Sequence, residues 1–179
     1  MTLTNSGLAD LIDGLHGLPY GGEAVDQRTH ALQAAREAVR AGADDELILA
    51  AALHDIGRAR SVRAGYPGLP HEAAGGAFAR EHFSERVAWA IEQHVPAKRY
   101  LVATDPTYRA QLSPASIASL KVQGEAFTPA ETAAFAAHPW ADEATALRRW
   151  DDAAKIPGDP GLPLEDVLAA FDRFTAARQ

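Results

Sequence analysis

The stretch Ala50-Ala51-Ala52-Leu53-His54-Asp55-Ile56-Gly57 decides how the chain is read. Four apolar, helix-favouring residues lead directly into an adjacent imidazole and carboxylate. Side chains of those two kinds are rarely buried in full unless they are paired or hold a metal ion. The stretch therefore predicts a core helix that carries two metal-binding groups to its end and stops at Gly57.

Outward from this helix the pattern remains helical. Asp44 reads as its N-cap, with Asp45 and Glu46 at the positive end of the dipole. Upstream, Val25, Leu32, Ala35 and Val39 share a stripe of a longer helix that starts near Glu23, contains His30 and ends near Gly42. Before it, Leu8, Leu11, Ile12 and Leu15 mark a short amphipathic helix stopped by Gly17 and Pro19. Downstream, Arg58 to Pro70 reads as a loop because it carries Gly65, Pro67, Gly68 and Pro70. His71-Glu72 then opens a helix to about His82, and Ser84 opens another that carries His94 and is broken or kinked by Pro96. Ser113-Pro114 starts a helix to about Gln123, and Thr128-Pro129 with Glu131 has the form of a capping box. A helix from about Trp140 to Ala154 and a last one over Leu164 to Phe174 flank the turn at Pro157 to Pro163. No segment alternates cleanly, so the expected class is all-α. With 179 residues and no repeat or linker, one domain over 1–179 is expected.

Composition excludes several functions. A net charge of -7 argues against a nucleic-acid partner, which would demand a basic face. The absence of cysteine removes disulfides, thiolate metal sites and thiol nucleophiles, and leaves His, Asp and Glu as metal ligands. No apolar run approaches a membrane span and no secretory leader is evident, so a soluble cytoplasmic protein is expected, with no obligate protein partner.

His30, His54-Asp55, His71, His94 and Asp151 sit on or at the ends of separate expected helices. Helical bundles build interior metal sites in this way. Four imidazoles and two carboxylates suit first-row transition metals rather than calcium or magnesium, which prefer oxygen shells. Two ions would use the six economically: His30, His54 and Asp151 on one, His71 and His94 on the other, and Asp55 between them. Lys98 follows His94 by four residues and Arg148 precedes Asp151 by three, which puts positive charge beside the metals and suggests a clamp for a small anionic substrate. Arg148 also has the option of pairing with Asp151 or Asp152. Arg99, Arg149, His16, His82 and His138 are read as surface or packing residues.

The order His30, His54-Asp55, Asp151 and the run His54-Asp55-Ile56-Gly57 resemble the HD-domain superfamily in its HDIG form. The added His71 and His94 resemble its two-metal subset. Within that subset the chain is similar to the mixed-valent diiron oxygenases of phosphonate catabolism, the PhnZ-like type. The stretches that carry this are Tyr20-Gly21-Gly22-Glu23, His30-Ala31-Leu32-Gln33-Ala34-Ala35, His94-Val95-Pro96-Ala97-Lys98-Arg99-Tyr100-Leu101, Leu112-Ser113-Pro114-Ala115-Ser116 with Gln123-Gly124, and Leu147-Arg148-Arg149-Trp150-Asp151-Asp152-Ala153-Ala154-Lys155.

The resemblance implies an HD-domain helical bundle with a metal site in its interior, holding an Fe(II)/Fe(III) pair on His30, His54, Asp55, His71, His94 and Asp151. It implies that Lys98, Arg148, Ser116 and Gln123 contact a phosphonate. It also implies that Tyr20 and Glu23 form a catalytic gate, Glu23 resting on an iron until substrate arrives. The implied activity is cleavage by O2 of the carbon-phosphorus bond of a 1-hydroxyalkylphosphonate, such as 2-amino-1-hydroxyethylphosphonate or a close analogue, giving inorganic phosphate and a carboxylic acid. Those enzymes commonly carry a histidine after the HDIG run where this chain has Arg58, so Arg58 faces either the substrate or solvent and the substituent on C1 stays open. Three rival readings remain at this point: an HD phosphohydrolase acting on a nucleotide or phosphate ester, a ring-cleaving diiron oxygenase of inositol type, and a non-catalytic HD binding module.

Overall fold

The computed structural model describes residues 3–178 and, among them, the chain is all-α, with eleven helices, one 3-10 turn and no strand. The helices are α1 Asn5–Asp13, α2 Gln27–Arg40, α3 Asp45–Leu53, α4 Arg60–Gly65, α5 His71–His82, α6 Glu85–Thr104, α7 Tyr108–Gln111, α8 Pro114–Val122, α9 Pro129–Ala136, α10 Ala141–Ala153 and α11 Leu164–Ala176; the 3-10 turn is Ile56–Arg58. No described helix is long and apolar enough to cross a membrane.

The centre is α3, in which every residue from Leu47 to Leu53 is buried. A helix enclosed on all sides must be apolar on all sides, and α2, α6, α10 and α11 pack around this one. Its N-terminus is fixed by the Asp44 carboxylate, which accepts from the Leu47 amide at 3.1 Å. Arg86 of α6 then ties the rim together, donating to Asp44, Glu46 and, through a two-bond fork, Glu143 of α10. Ser84, Ser113 and Thr128 cap α6, α8 and α9, the last through a complete capping box.

Several expectations about boundaries are corrected. Helix α2 begins at Gln27, not near Glu23, because the Asp26 side chain caps it by accepting from the Thr29 amide, while Gly21 and Gly22 hold the preceding turn at positive φ. Val39, expected on the apolar stripe, is 44 % exposed at the end of that helix. Pro96 does not break α6, which runs through it for 20 residues; the helix packs against α5 and α10, and this outweighs one missing ladder bond. The stretch Arg58 to Pro70 is not wholly a loop, since it holds the last residue of the 3-10 turn and all of α4. The short α7 had no signal in the sequence pattern.

Gly57 also has a different role from the expected helix stop. Helix α3 ends at Leu53, and Gly57 lies inside the 3-10 turn, where a β-carbon would sit 1.9 Å from the His71 carbonyl oxygen and 2.9 Å from the Gly75 amide. Only a glycine lets that turn lie against the first turn of α5. This contact fixes His71 relative to the His54-Asp55 pair.

Candidate metal centre

Four buried or half-buried imidazoles converge, each from a different helix or helix end. Each offers Nδ1 to an acceptor: His30 to the Ala154 carbonyl at 2.7 Å, His54 to the Ala51 carbonyl at 2.8 Å, His94 to the Ile91 carbonyl at 2.7 Å and His71 to the Glu72 carboxylate at 3.0 Å. A carbonyl or carboxylate can only accept, so Nδ1 carries the proton and the Nε2 lone pair of a neutral ring is bare. The Nε2 atoms face one another: those of His30 and His54 are 2.9 Å apart, and those of His71 and His94 are 3.3 Å apart. Bare lone pairs at such distances repel unless a cation lies against both. Two nitrogens each about 2.1 Å from one ion and at right angles stand about 3.0 Å apart. The donor set therefore fits a metal ion.

The carboxylates complete two groups that could each hold an ion, His30 with His54 and Asp151, and Asp55 with His71 and His94. Asp151 Oδ1 is 3.3 Å from His30 Nε2 and its Oδ2 is 3.9 Å from His54 Nε2. Asp55 straddles the two groups, with Oδ1 3.0 Å from His71 Nε2 and 3.7 Å from His94 Nε2, and Oδ2 4.0 Å from His54 Nε2. Asp55 Oδ1 is buried and already faces Arg58 Nε at 3.0 Å, and a buried carboxylate stays ionised only among cationic neighbours of this kind.

The electrostatics prepare the ligands. Burial opposes ionisation of Asp55, but Arg58 and His71 outweigh it and hold the carboxyl well below its usual range. Burial likewise opposes ionisation of Asp151, and Arg148 outweighs it. Burial, then His54 and His71, push His94 down to about 3, and burial lowers His54, so both rings are neutral and able to coordinate. His71 differs: burial lowers it, yet Asp55 prevails and raises it to about 9.

A cavity of about 50 Å³ opens on this cluster, lined among others by Lys98, Ser116, Gln123 and Arg148. Arg148 is 4 % exposed and ion-pairs with both carboxylates considered for it, reaching Asp151 at 2.6 Å and Asp152. Lys98 is buried and donates to the Ser119 hydroxyl at 2.8 Å. Gln123 Oε1 is buried without a partner among the described residues. Arg58 turns inward, with Nε 3.0 Å from Asp55 Oδ1 and Nη2 3.1 Å from His71 Nε2. Tyr20 stacks on His30 with ring centroids 3.8 Å apart and donates to Asp151 at 2.9 Å. Glu23 lies apart from both ligand groups, accepting from the Ser113 hydroxyl, and lines a second, outer cavity of about 190 Å³.

Two residues at or beside the cavity were given no role by the sequence pattern, Ser119, which lines it, and Lys155, which reaches its Ser116. Lys155 donates to the Ser116 hydroxyl at 2.9 Å and lies 3.4 Å from Asp152, and Ser119 receives Lys98. Their spacing held the signal: Lys155 follows Asp151 by four residues and Ser119 follows Ser116 by three, each pair on one helix face or its extension. The residues read as bland behave so. Arg99 and Arg149 pair with Glu131 and Asp105, His138 stacks on Trp89, His16 pairs with Asp26 and His82 lies against Phe78.

The fold and site define a helical bundle that gathers two His/Asp groups fit for metal in its interior. Residues 28–120 match the HD domain, and the chain belongs to the HD-domain family. It is 40% identical over 149 residues to the hydroxymethylphosphonate dioxygenase of Gimesia maris, covering 80% of this chain and 74% of that protein. It is 38% identical over 141 residues to the [1-hydroxy-2-(trimethylamino)ethyl]phosphonate dioxygenase (glycine-betaine-forming) of Leisingera caerulea, covering 76% and 72%. An uncharacterised protein of Acanthamoeba polyphaga mimivirus is 33% identical over 165 residues, covering 88% and 75%. Within the HD-domain family the chain is thus a relative of phosphonate dioxygenases, of the PhnZ-like type.

Proposed function

We propose that the protein is a diiron oxygenase that cleaves the carbon-phosphorus bond of a small 1-hydroxyalkylphosphonate. One O2 is consumed per substrate; one oxygen atom enters the carboxylate, the other enters phosphate, and a proton is released. The observation that carries the reading is the convergence of four imidazoles, each with Nδ1 engaged and Nε2 turned into the cluster, around Asp55 beside a cationic cavity. The names of the two relatives support the reaction class.

His30, His54 and Asp151 would hold one iron, and His71 and His94 the other, with Asp55 shared. The iron pair supplies the redox chemistry with O2 that no side chain here can supply. The protein's own groups bind and aim. Lys98 and Arg148 hold the phosphonate oxygens by charge-assisted hydrogen bonds, with Ser116 and Gln123 at its edge. Tyr20 and Glu23 stand at the cavity mouth as the gate, and no side chain serves as a nucleophile.

The test is anaerobic loading with iron, addition of hydroxymethylphosphonate, then exposure to oxygen with phosphate and oxygen uptake both measured. Equimolar phosphate release and oxygen uptake are expected. Phosphate release from simple phosphate esters without oxygen uptake would make the protein a hydrolase and overturn the reading.

A further inference from the structure

We propose that Arg58 and Lys155 make the passage between the inner and outer cavities a charge filter, so that the enzyme takes 1-hydroxyphosphonates whose C1 substituent is hydrogen, neutral or anionic and rejects those bearing an ammonium group. The inference rests on the oxygenase reading above and refines its substrate.

Four residues line both cavities and so form the neck between them: Tyr20, Arg58, Ser116 and Ser119. Arg58 is the one that carries a full charge. Both serines are engaged by cations, Ser116 by Lys155 at 2.9 Å and Ser119 by Lys98 at 2.8 Å. Lys155 also lies 5.8 Å from the Tyr20 ring centre. Three cations thus surround the neck.

The carboxylates nearby are either paired with other groups or lie outside the neck. Asp55 and Asp151 belong to the ligand groups, and Asp152 is shared by Arg148, Tyr108 and Lys155. Glu23 lines the outer cavity alone and accepts from Ser113. Arg58 is balanced by Asp55, but that balance ends once Asp55 neutralises metal. A phosphonate dianion seated at Lys98 and Arg148 points its substituent out through this neck. An ammonium there meets like charge at short range in a partly desolvated passage, where repulsion is weakly screened.

The experiment compares 2-amino-1-hydroxyethylphosphonate with 1-hydroxypropylphosphonate, which differ by an ammonium group in place of a methyl group at equal size. Both are run on one iron-loaded preparation, so metal content cancels in the ratio. The expected result is kcat/KM higher for the neutral compound by on the order of tenfold, with the same ranking in anaerobic dissociation constants. Arg58→Met should bring the ratio toward one; Lys155→Met serves as an independent second variant should Arg58→Met fold poorly. An equal or better ammonium substrate with phosphate released from both overturns the filter and leaves the oxygenase reading standing. Phosphate from neither compound and none from hydroxymethylphosphonate overturns the oxygenase reading and the filter with it.

Discussion

His30 and His54 aim bare Nε2 atoms at each other across 2.9 Å, each ring held from behind by a backbone carbonyl. Backbone acceptors fix the orientation of both rings, so the ion content of the site should respond to single ligand changes. Asp55→Ala removes the carboxylate that faces both groups and is expected to leave neither ion bound, whereas His30→Ala is expected to lose one. Metal analysis of the purified variants decides this, and full iron retention in Asp55→Ala would sink the shared-ligand assignment.

Metal uptake should release a proton from His71. Its ring is held up to about 9 by Asp55 despite burial, so it is protonated at neutral pH, whereas a metal ligand must be neutral. Affinity of the Asp55, His71 and His94 group for an ion should therefore rise as pH climbs toward about 9 and level off above it. Calorimetry in buffers of different ionisation enthalpy measures the proton count. A count of zero at pH 7 would contradict the expectation.

Phosphonate binding should weaken in mildly alkaline solution. Burial, then the Arg148 charge, bring Lys98 down to about 8, so its ammonium is present below that pH and lost above it. The dissociation constant is expected to rise by about tenfold per pH unit once Lys98 deprotonates. Lys98→Met should bind weakly at every pH and lack this limb. An unchanged limb in that variant would assign the titration to another group.

Arg148 joins two carboxylates inside the bundle, and its removal takes from Asp151 and Asp152 the cation closest to both. Arg148→Ala is expected to cost about 3–5 kcal/mol of stability, the usual result of breaking a buried ion pair from one side. It should still retain iron, because the ligand groups are intact, while substrate affinity falls. Denaturant unfolding and metal content on the same preparation separate the two effects.

Gly57→Ala places a methyl group where the His71 carbonyl already lies, 1.9 Å from the new carbon. The turn and α5 must part, at a cost of about 1–3 kcal/mol. The displacement reaches His71, so one metal should be lost more readily than the other. Thermal unfolding and stoichiometry test both parts, and wild-type values for each would refute the packing argument.

Much of this molecule could be read from its sequence because helix starts are written in side-chain chemistry. Asp44, Ser84, Ser113 and Thr128 each cap a helix as their residue types require. The ligand-type residues were legible for a related reason, since imidazoles and carboxylates at the ends of apolar helices have few other uses. What escaped depended on tertiary surroundings. Pro96 stays within α6 because the helix is packed against its neighbours, and Gly57 matters through a residue fourteen positions away. Lys155 and Ser119 meet Ser116 and Lys98 through hydrogen bonds between residues far apart in the sequence, which spacing alone did not assign.

The pairing of Tyr20 with Asp151, 131 positions apart, also bears on how the molecule comes into being. His30 reaches equally far, to Ala154, 124 positions along the chain. Contacts so distant in sequence close late, after the local helices have formed, because their loops cost the most entropy. During synthesis the His71 and His94 side of the centre can assemble while α10 is still inside the ribosome. The His30 and His54 side must wait for it, so a nascent chain gains its full affinity for metal only when nearly all of it has emerged.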